Sequence, residues 1–349
     1  MPTIDADCHV IESEHTWSYL AKADKRFKPK TVIDPDDNNL EYWVIDGKLK
    51  RVPFAINTGS SEETISGFSK TTASTRTLQD VTARLAHMDE LGVDYQVLYP
   101  TVYLTQISGD PAEELALAKS YNRWLGDIWD QSEGRLRWVA VPPLMSMDAL
   151  PDELRIAKDH GACGVFMRGY EGNRILVDSY FDPLYKAASE LDMPVCVHAG
   201  CGNPAFADLT RTEAYARNKF PVLGAFHSFL SHGLPARFPD LRLGFVEVAA
   251  SWVPYMLIDL ERRLARQGTP LSDDPLGDNR MFVACQTNDD IPYVLDHVNE
   301  NNLVIGSDYG HADTSSELEA LRSFKQSGIV ADHVVDKILW DNPSRLYSI

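Results

Sequence analysis

The residues best suited to chemistry in this chain lie far apart in sequence but share one local setting. Asp7 and His9 close the run "TIDADCH" (3–9), His198 closes "PVCVHAG" (194–200), Glu247 closes "LRLGFVEV" (241–248), and Asp308 closes "LVIGSD" (303–308), with His311 just beyond. Each run is short, apolar and rich in β-formers. An ionisable group at the end of a buried strand is costly unless it is paired or ligated. Taken singly, each residue has an ordinary reading. His198 would bond a carbonyl in the core, Glu247 would face a helix N-terminus, and Asp308 would form the turn before Tyr309-Gly310. Together, two imidazoles and two carboxylates form a first shell for one divalent cation, with positions left for water or substrate. Within the first run, Asp7 and His9 fall on the same face, because strand side chains alternate with period two.

Four further strand candidates complete a set of eight: "DYQVLYP" (94–100), "LRWVAVP" (136–142), "ACGVFMR" (162–168) and "MFVACQT" (281–287). Most are continuous apolar runs, as expected of strands covered on both faces. Helical patterns separate them. Residues 80–92 space Val81, Leu85, Met88 and Leu91 before Gly92, and residues 111–131 begin with Pro and acids. Residues 251–267 and 315–328 repeat the logic. Eight strands alternating with helices predict an α/β fold, a (β/α)8 TIM barrel, whose strand C-terminal ends would bring the ionisable groups to one mouth. An open doubly wound sheet is the alternative, but no G-x-G-x-x-G follows the first strand. The chain reads as one domain over 1–349, with residues 16–79 an insertion near the mouth. There "EYWVIDGKLKRV" predicts a hairpin turning at Asp46-Gly47, and the Ser/Thr-rich stretch 59–75 reads as a lid or a solvated loop.

Composition removes several classes of function. Of 349 residues, 51 are Asp or Glu against 33 Lys or Arg, a formal net charge of -18. Such a chain is poorly suited to neutralising nucleic-acid phosphates or anionic membrane, so neither is expected as a partner. The five cysteines are scattered without a C-x-x-C, which fits reduced thiols. With no signal-peptide pattern and no apolar run of membrane length, a cytoplasmic location is expected.

The stretches "DADCHVIE", "RLAHMDELGVDYQVLYPT" (84–101), "PLYKAASELDMPVCVHAG" (183–200), "LPARFPDLRLGFVEVAASWVPYMLIDLERR" (234–263) and "IGSDYGHAD" (305–313) resemble the amidohydrolase superfamily. The resemblance is to the branch that includes aminocarboxymuconate semialdehyde decarboxylase and related hydrolases and decarboxylases. It implies one divalent metal held by Asp7, His9, His198 and Asp308, and a homodimer. The pair D-x-H replaces the H-x-H or E-x-H common in the family, so Mn²⁺ or Mg²⁺ joins Zn²⁺ as a candidate. "GVFMRG" places no lysine at the fourth strand's end, against a carbamylated-lysine bridge. Glu247 stands where many relatives carry a catalytic histidine. Proton transfer is therefore expected from Glu247, or from His227 at what reads as the start of a mouth-facing helix, with Asp308 also catalytic. Arg168 and, from the insertion, Arg51 are candidate clamps for a substrate carboxylate, and His311 is a candidate substrate contact. Trp17, Tyr42, Trp43, Tyr170, Trp252 and Tyr309 would suit a flat ligand. The expected activity is metal-assisted hydrolysis of a small aromatic or ring-derived acid. The alternatives are non-oxidative decarboxylation and a non-catalytic, ligand-binding metal barrel.

Overall fold

The computed structural model describes residues 2–36, 41–51 and 71–349, except for the side chain of Arg51. Eight parallel strands form one sheet in sequence order: β1 (Ile4–His9), β2 (Tyr95–Tyr99), β3 (Leu136–Ala140), β4 (Ala162–Arg168), β5 (Val195–His198), β6 (Leu243–Val246), β7 (Met281–Cys285) and β8 (Leu303–Ile305). The sheet curls until its two edges meet. The His9 amide donates to the Tyr309 carbonyl at 2.7 Å, and the Asp308 amide donates to the Asp7 carbonyl at 2.9 Å. Closure brings β8 so near β1 that a side chain at Gly306 would strike Asp7 Cβ at 2.3 Å. The result is a (β/α)8 barrel, with every side chain of β1, β4, β5, β6 and β7 buried.

Helices return the chain between strands: α1 (Val81–Leu91), α2 (Pro111–Gln131), α3 (Leu150–Asp159), α4 (Asp182–Glu190), α5 (Phe220–Ser231), α6 (Val253–Gln267) and α7 (Ala320–Gln326). Their ends follow local chemistry. The Asp80 carboxylate caps α1 at the Ala83 amide, and Gly92 ends it with φ +74°. Asp110 caps α2 ahead of Pro111. The helix expected over 315–328 shrinks to α7, because the segment before it is tied to the mouth. The Glu317 amide donates to the Ser307 carbonyl (3.0 Å), and Ser316 Oγ donates to the His311 carbonyl (2.9 Å).

The insertion after β1 carries a three-stranded antiparallel sheet, with Glu41–Ile45 between Lys30–Ile33 and Lys48–Arg51. Asp46 and Gly47 both have positive φ, +51° and +65°, as a two-residue hairpin turn of this twist requires. The strand Lys30–Ile33 has no clear alternation in sequence and was not expected. Ser120 Oγ, on α2, donates to the Thr16 carbonyl (2.7 Å), and the Gly109 amide donates to Asp46 Oδ2 (3.1 Å). The insertion is thus fastened to α2 and the segment before it. Of the expected lid, residues 59–70 lie outside the described residues. Residues 71–75 do not behave as a lid. Thr72 caps the short helix Ala73–Arg76, Thr75 is buried, and the Ile11 amide donates to the Arg76 carbonyl at 2.9 Å.

Candidate metal centre

At the mouth, β1 and β5 deliver two imidazoles whose protons are already committed elsewhere. His9 Nδ1 lies 3.2 Å from the Pro100 carbonyl, and His198 Nδ1 lies 2.9 Å from the Ala199 carbonyl. A carbonyl only accepts, so each ring is protonated at Nδ1 and turns an Nε2 lone pair inward. The two Nε2 atoms lie 3.2 Å apart. Asp7 Oδ1 stands 3.3 Å from His198 Nε2 and 3.7 Å from His9 Nε2. Glu247 Oε2 stands 3.1 and 3.5 Å from the same two nitrogens, and Asp308 Oδ1 is 3.5 Å from His9 Nε2.

Four other acceptor atoms therefore lie within 3.7 Å of His9 Nε2. Both oxygens of Asp308 and Oε2 of Glu247 have no hydrogen-bond partner although buried. Such groups are normally satisfied, and a cluster of unmet acceptors is strongly unfavourable without a cation. A divalent ion would satisfy them together, and the mixed oxygen–nitrogen donor set suits Mn²⁺, Mg²⁺ or Zn²⁺. Carbonyl contacts of this kind at Nδ1 would orient both rings toward a metal ion. The backbone is also bent to serve this point. Glu247 and Asp308 take φ +62° and +52°, left-handed conformations that cost about 1–3 kcal/mol each for such residues and cluster at functional sites. Burial and the neighbouring His311 and His198 hold His9 well below the usual imidazole range. Burial pushes the carboxyls of Glu247 and Asp308 well up. For His198 burial acts downward, but Glu247 and Asp7 outweigh it and raise the ring. A bound cation would oppose the upward shifts of the carboxyls.

His311 completes the cluster. Its ring stacks on His9, with centroids 3.7 Å apart, and its Nδ1 lies 2.9 Å from Asp308 Oδ1. Its Nε2 is 2.9 Å from Thr101 Oγ1, whose only proton goes to the Val10 carbonyl at 2.7 Å. Thr101 must then accept, so His311 carries a proton on Nε2 and presents Nδ1 toward Asp308. Glu12 fixes the segment that carries Thr101, accepting from the amides of Thr101 (3.0 Å) and Val102 (2.9 Å). Sequence reasoning missed Thr101 and Glu12 as parts of the site. Their only signal was their place in the stretches "VLYPT" and "DADCHVIE".

Other expectations are corrected. Arg168 ends β4, but its guanidinium is engaged. Nε and Nη2 bond the two oxygens of Glu171, and Nη1 bonds the carbonyls of Tyr103 (2.8 Å) and Thr105 (2.7 Å). It braces the loop after β2, with four of its five N–H donors committed. His227 does not begin a helix. It lies two turns inside α5, with Nε2 3.2 Å from Asp259 of α6, away from the cluster. Arg51 lies on the insertion sheet, its side chain outside the described residues. Several aromatic candidates are packing residues: Trp17 meets Trp43 edge-on, Trp252 meets Phe226, and Tyr309 Oη reaches His87 and Thr75. Lys219 was not anticipated. It follows Asn218, whose carbonyl accepts from Gly200 at 2.9 Å, and its ammonium donates to Ser315 Oγ at 3.4 Å. Among the described residues that ammonium pairs with no carboxylate.

The sequence profile of the amidohydrolase family matches residues 4–349. The chain belongs to the amidohydrolase family. Solved structures with the same fold include an amidohydrolase of Mycobacterium avium subsp. paratuberculosis, 19% identical with a TM-score of 0.79 over 99% of each chain. A 5-carboxyvanillate decarboxylase of Novosphingobium aromaticivorans with bound manganese is 16% identical, with a TM-score of 0.70 over 100% of this chain and 97% of that one. A 2,6-dihydroxybenzoate decarboxylase of Rhizobium is 18% identical, with a TM-score of 0.63 over 77% of this chain and 88% of that one. No protein of curated function matches the sequence. Membership makes this amidohydrolase a metal-dependent enzyme by family. Among its described residues, no helix is long and apolar enough to cross a membrane.

Proposed function

We propose that this amidohydrolase is a metal-dependent hydrolase of a small, ring-derived carboxylic acid. The observation that carries the reading is the gathering of buried donor atoms from His198, Asp7 and Asp308 around His9 Nε2. A divalent cation held there supplies Lewis acidity toward a carbonyl or carboxylate oxygen. The chain's own residues supply the rest. With its Nε2 proton given to Thr101, His311 has Nδ1 as its basic nitrogen, directed at the cluster. It is placed to take a proton from an attacking water and pass it to the leaving oxygen. Asp308 Oδ1, 2.9 Å from Nδ1, would stabilise the imidazolium formed once that nitrogen has taken the proton. Lys219 is the mouth cation assigned to the substrate carboxylate. The loop after β2 covers one side of the mouth, the Cys201 amide donating to the Leu104 carbonyl at 2.8 Å, and so limits water. A side chain at Gly200 would meet that same carbonyl at 2.5 Å, which is why the crossing can be so close.

Non-oxidative decarboxylation is the second reading. It is favoured by the oxygen-rich donor set and by the fold shared with two decarboxylases, one with bound manganese. The test is to incubate the metal-loaded protein with hydroxybenzoates, lactones and ring-cleavage acids, and to follow acid release and carbon dioxide separately. Acid release without carbon dioxide is the expected result. Carbon dioxide release assigns the second reading. Neither product at full metal occupancy across the panel would return the chain to the class of ligand-binding barrels.

A further inference from the structure

We propose that Glu247 is itself a metal ligand, so that three carboxylates and two imidazoles hold the ion. The inference rests on the metal-centre reading above, and departs from the proton-transfer role expected at this position. Its ground is where the protons are. His9 and His198 each give Nδ1–H to a backbone carbonyl, so neither neutral ring has a proton on Nε2. Glu247 Oε2 nevertheless sits 3.1 Å from one of these nitrogens and 3.5 Å from the other. A carboxylate oxygen facing two lone pairs needs a positive charge among them, a proton or a metal ion. The same oxygen is buried and accepts no hydrogen bond. A proton-transfer group would stand back from the cation, facing the substrate. Glu247 instead comes as near the two nitrogens as Asp7 does, and a left-handed backbone at φ +62° turns its side chain from the end of β6 into the cluster. Glu247 belongs to both groups of candidate donors at the mouth, one with Asp7, His9 and His198, the other with His9, Asp308 and His311.

The consequence is a hard centre. Three carboxylates against one dication favour oxygen-preferring Mn²⁺ more than a histidine-rich site would, though Zn²⁺ keeps its general affinity advantage. The experiment uses the full-length protein, stripped of metal and titrated with Mn²⁺ and separately with Zn²⁺, bound metal being counted after equilibrium dialysis. Circular dichroism checks the fold of every variant. Glu247→Gln keeps the shape and removes the charge. Its Mn²⁺ affinity is expected to fall by well over about 10²-fold, beyond the roughly 10- to 100-fold that loss of an outer contact produces. A fall of about 10²-fold or less, the range of an outer contact, overturns the proposal. Should Glu247→Gln fail to fold, Glu247→His, which exchanges carboxylate for imidazole, decides. The ratio of Mn²⁺ to Zn²⁺ affinity is expected to drop about tenfold or more, and an unchanged ratio overturns the assignment. Asp7→Asn separates the two levels of inference. Parent-like metal affinity in Asp7→Asn would break the metal centre itself, whereas loss there with retention in Glu247→Gln removes Glu247 alone.

Discussion

The two halves of the barrel mouth handle buried charge in opposite ways. At the end of β4, Arg168 and Glu171 satisfy one another through paired hydrogen bonds, and the remaining guanidinium arm is closed by two backbone carbonyls. At the ends of β1, β5, β6 and β8, acceptors face acceptors and several have no partner. Both halves are buried, so exposure does not separate them. What separates them is the count of donors against acceptors. A balanced network braces a loop, whereas an unbalanced one calls for a cation. Charge in a pocket is therefore a poor guide to function until its partners have been counted.

The comparison is broken most severely by removing a donor from the unbalanced half. His198→Ala and Asp308→Ala are each expected to lose most bound metal and all measurable turnover while keeping the barrel's circular dichroism. Metal analysis of the purified proteins checks this, and full occupancy in both would mean that the cluster is not the metal centre. Next comes His311→Asn, which removes the basic Nδ1 and spares the five strand-end donors. Metal is expected to stay, and kcat to fall by roughly 10²-fold, the usual scale of general acid–base catalysis. Steady-state kinetics with Thr101→Val alongside tests the path. That variant takes away the acceptor that fixes the ring, so it should lower kcat less and leave metal content unchanged.

The balanced half predicts an effect on stability and none on the metal. Arg168→Met leaves Glu171 buried without its partner, a loss of about 3–5 kcal/mol for a broken buried pair. Urea unfolding should show that loss at unchanged metal occupancy. The double variant Arg168→Met/Glu171→Met should recover much of it, because the two charges leave together. No recovery in the double variant would mean that the carbonyl contacts to Tyr103 and Thr105, and not the ion pair, hold this side together.

How much of this was legible in the sequence follows the same division. The barrel was readable because eight apolar runs alternate with capped helical patterns, and α2 fell at the expected residues. The acidic and imidazole ends of β1, β5, β6 and β8 were readable because an ionisable residue stands out against an apolar strand. Arg168 stood out equally well, yet its partner Glu171 precedes Gly172 in a short hairpin, and nothing in the spacing showed that the chain would fold back onto the guanidinium. His227 misled because Phe220-Pro221 starts α5 earlier than the apolar pattern suggested, which places the histidine on the outer face. The Thr101–His311 contact joins residues 210 positions apart. Only barrel closure brings them together, so no local pattern could reveal it.

The smallest expected effect sharpens the balanced half from its margin. Lys50, on the insertion strand Lys48–Arg51, donates to the carbonyl of Gln106 and to Thr105 Oγ1 at 3.4 Å, beside Arg168. Burial, then the positive charges of Arg168 and Lys48, lower its ammonium from 10.5 to about 8, while Asp46 and Glu113 pull weakly the other way. The sign follows directly. Between pH 8 and 10.5 the unfolded chain holds a proton on Lys50 that the folded chain has largely released. Unfolding takes up protons there, so this residue makes stability rise with pH across that window. Below pH 8 the buried charge is a constant burden. Lys50→Met should flatten the rise by on the order of 1 kcal/mol, since the partly solvated side chain screens some of the effect. Urea midpoints at pH 7.5 and 10 for both proteins read the difference. Parallel pH dependence would show that the ammonium reaches solvent and that the mutual satisfaction around Arg168 ends at the loop after β2. A flattened profile would extend it onto the insertion, the segment that the chain adds between its first two barrel strands.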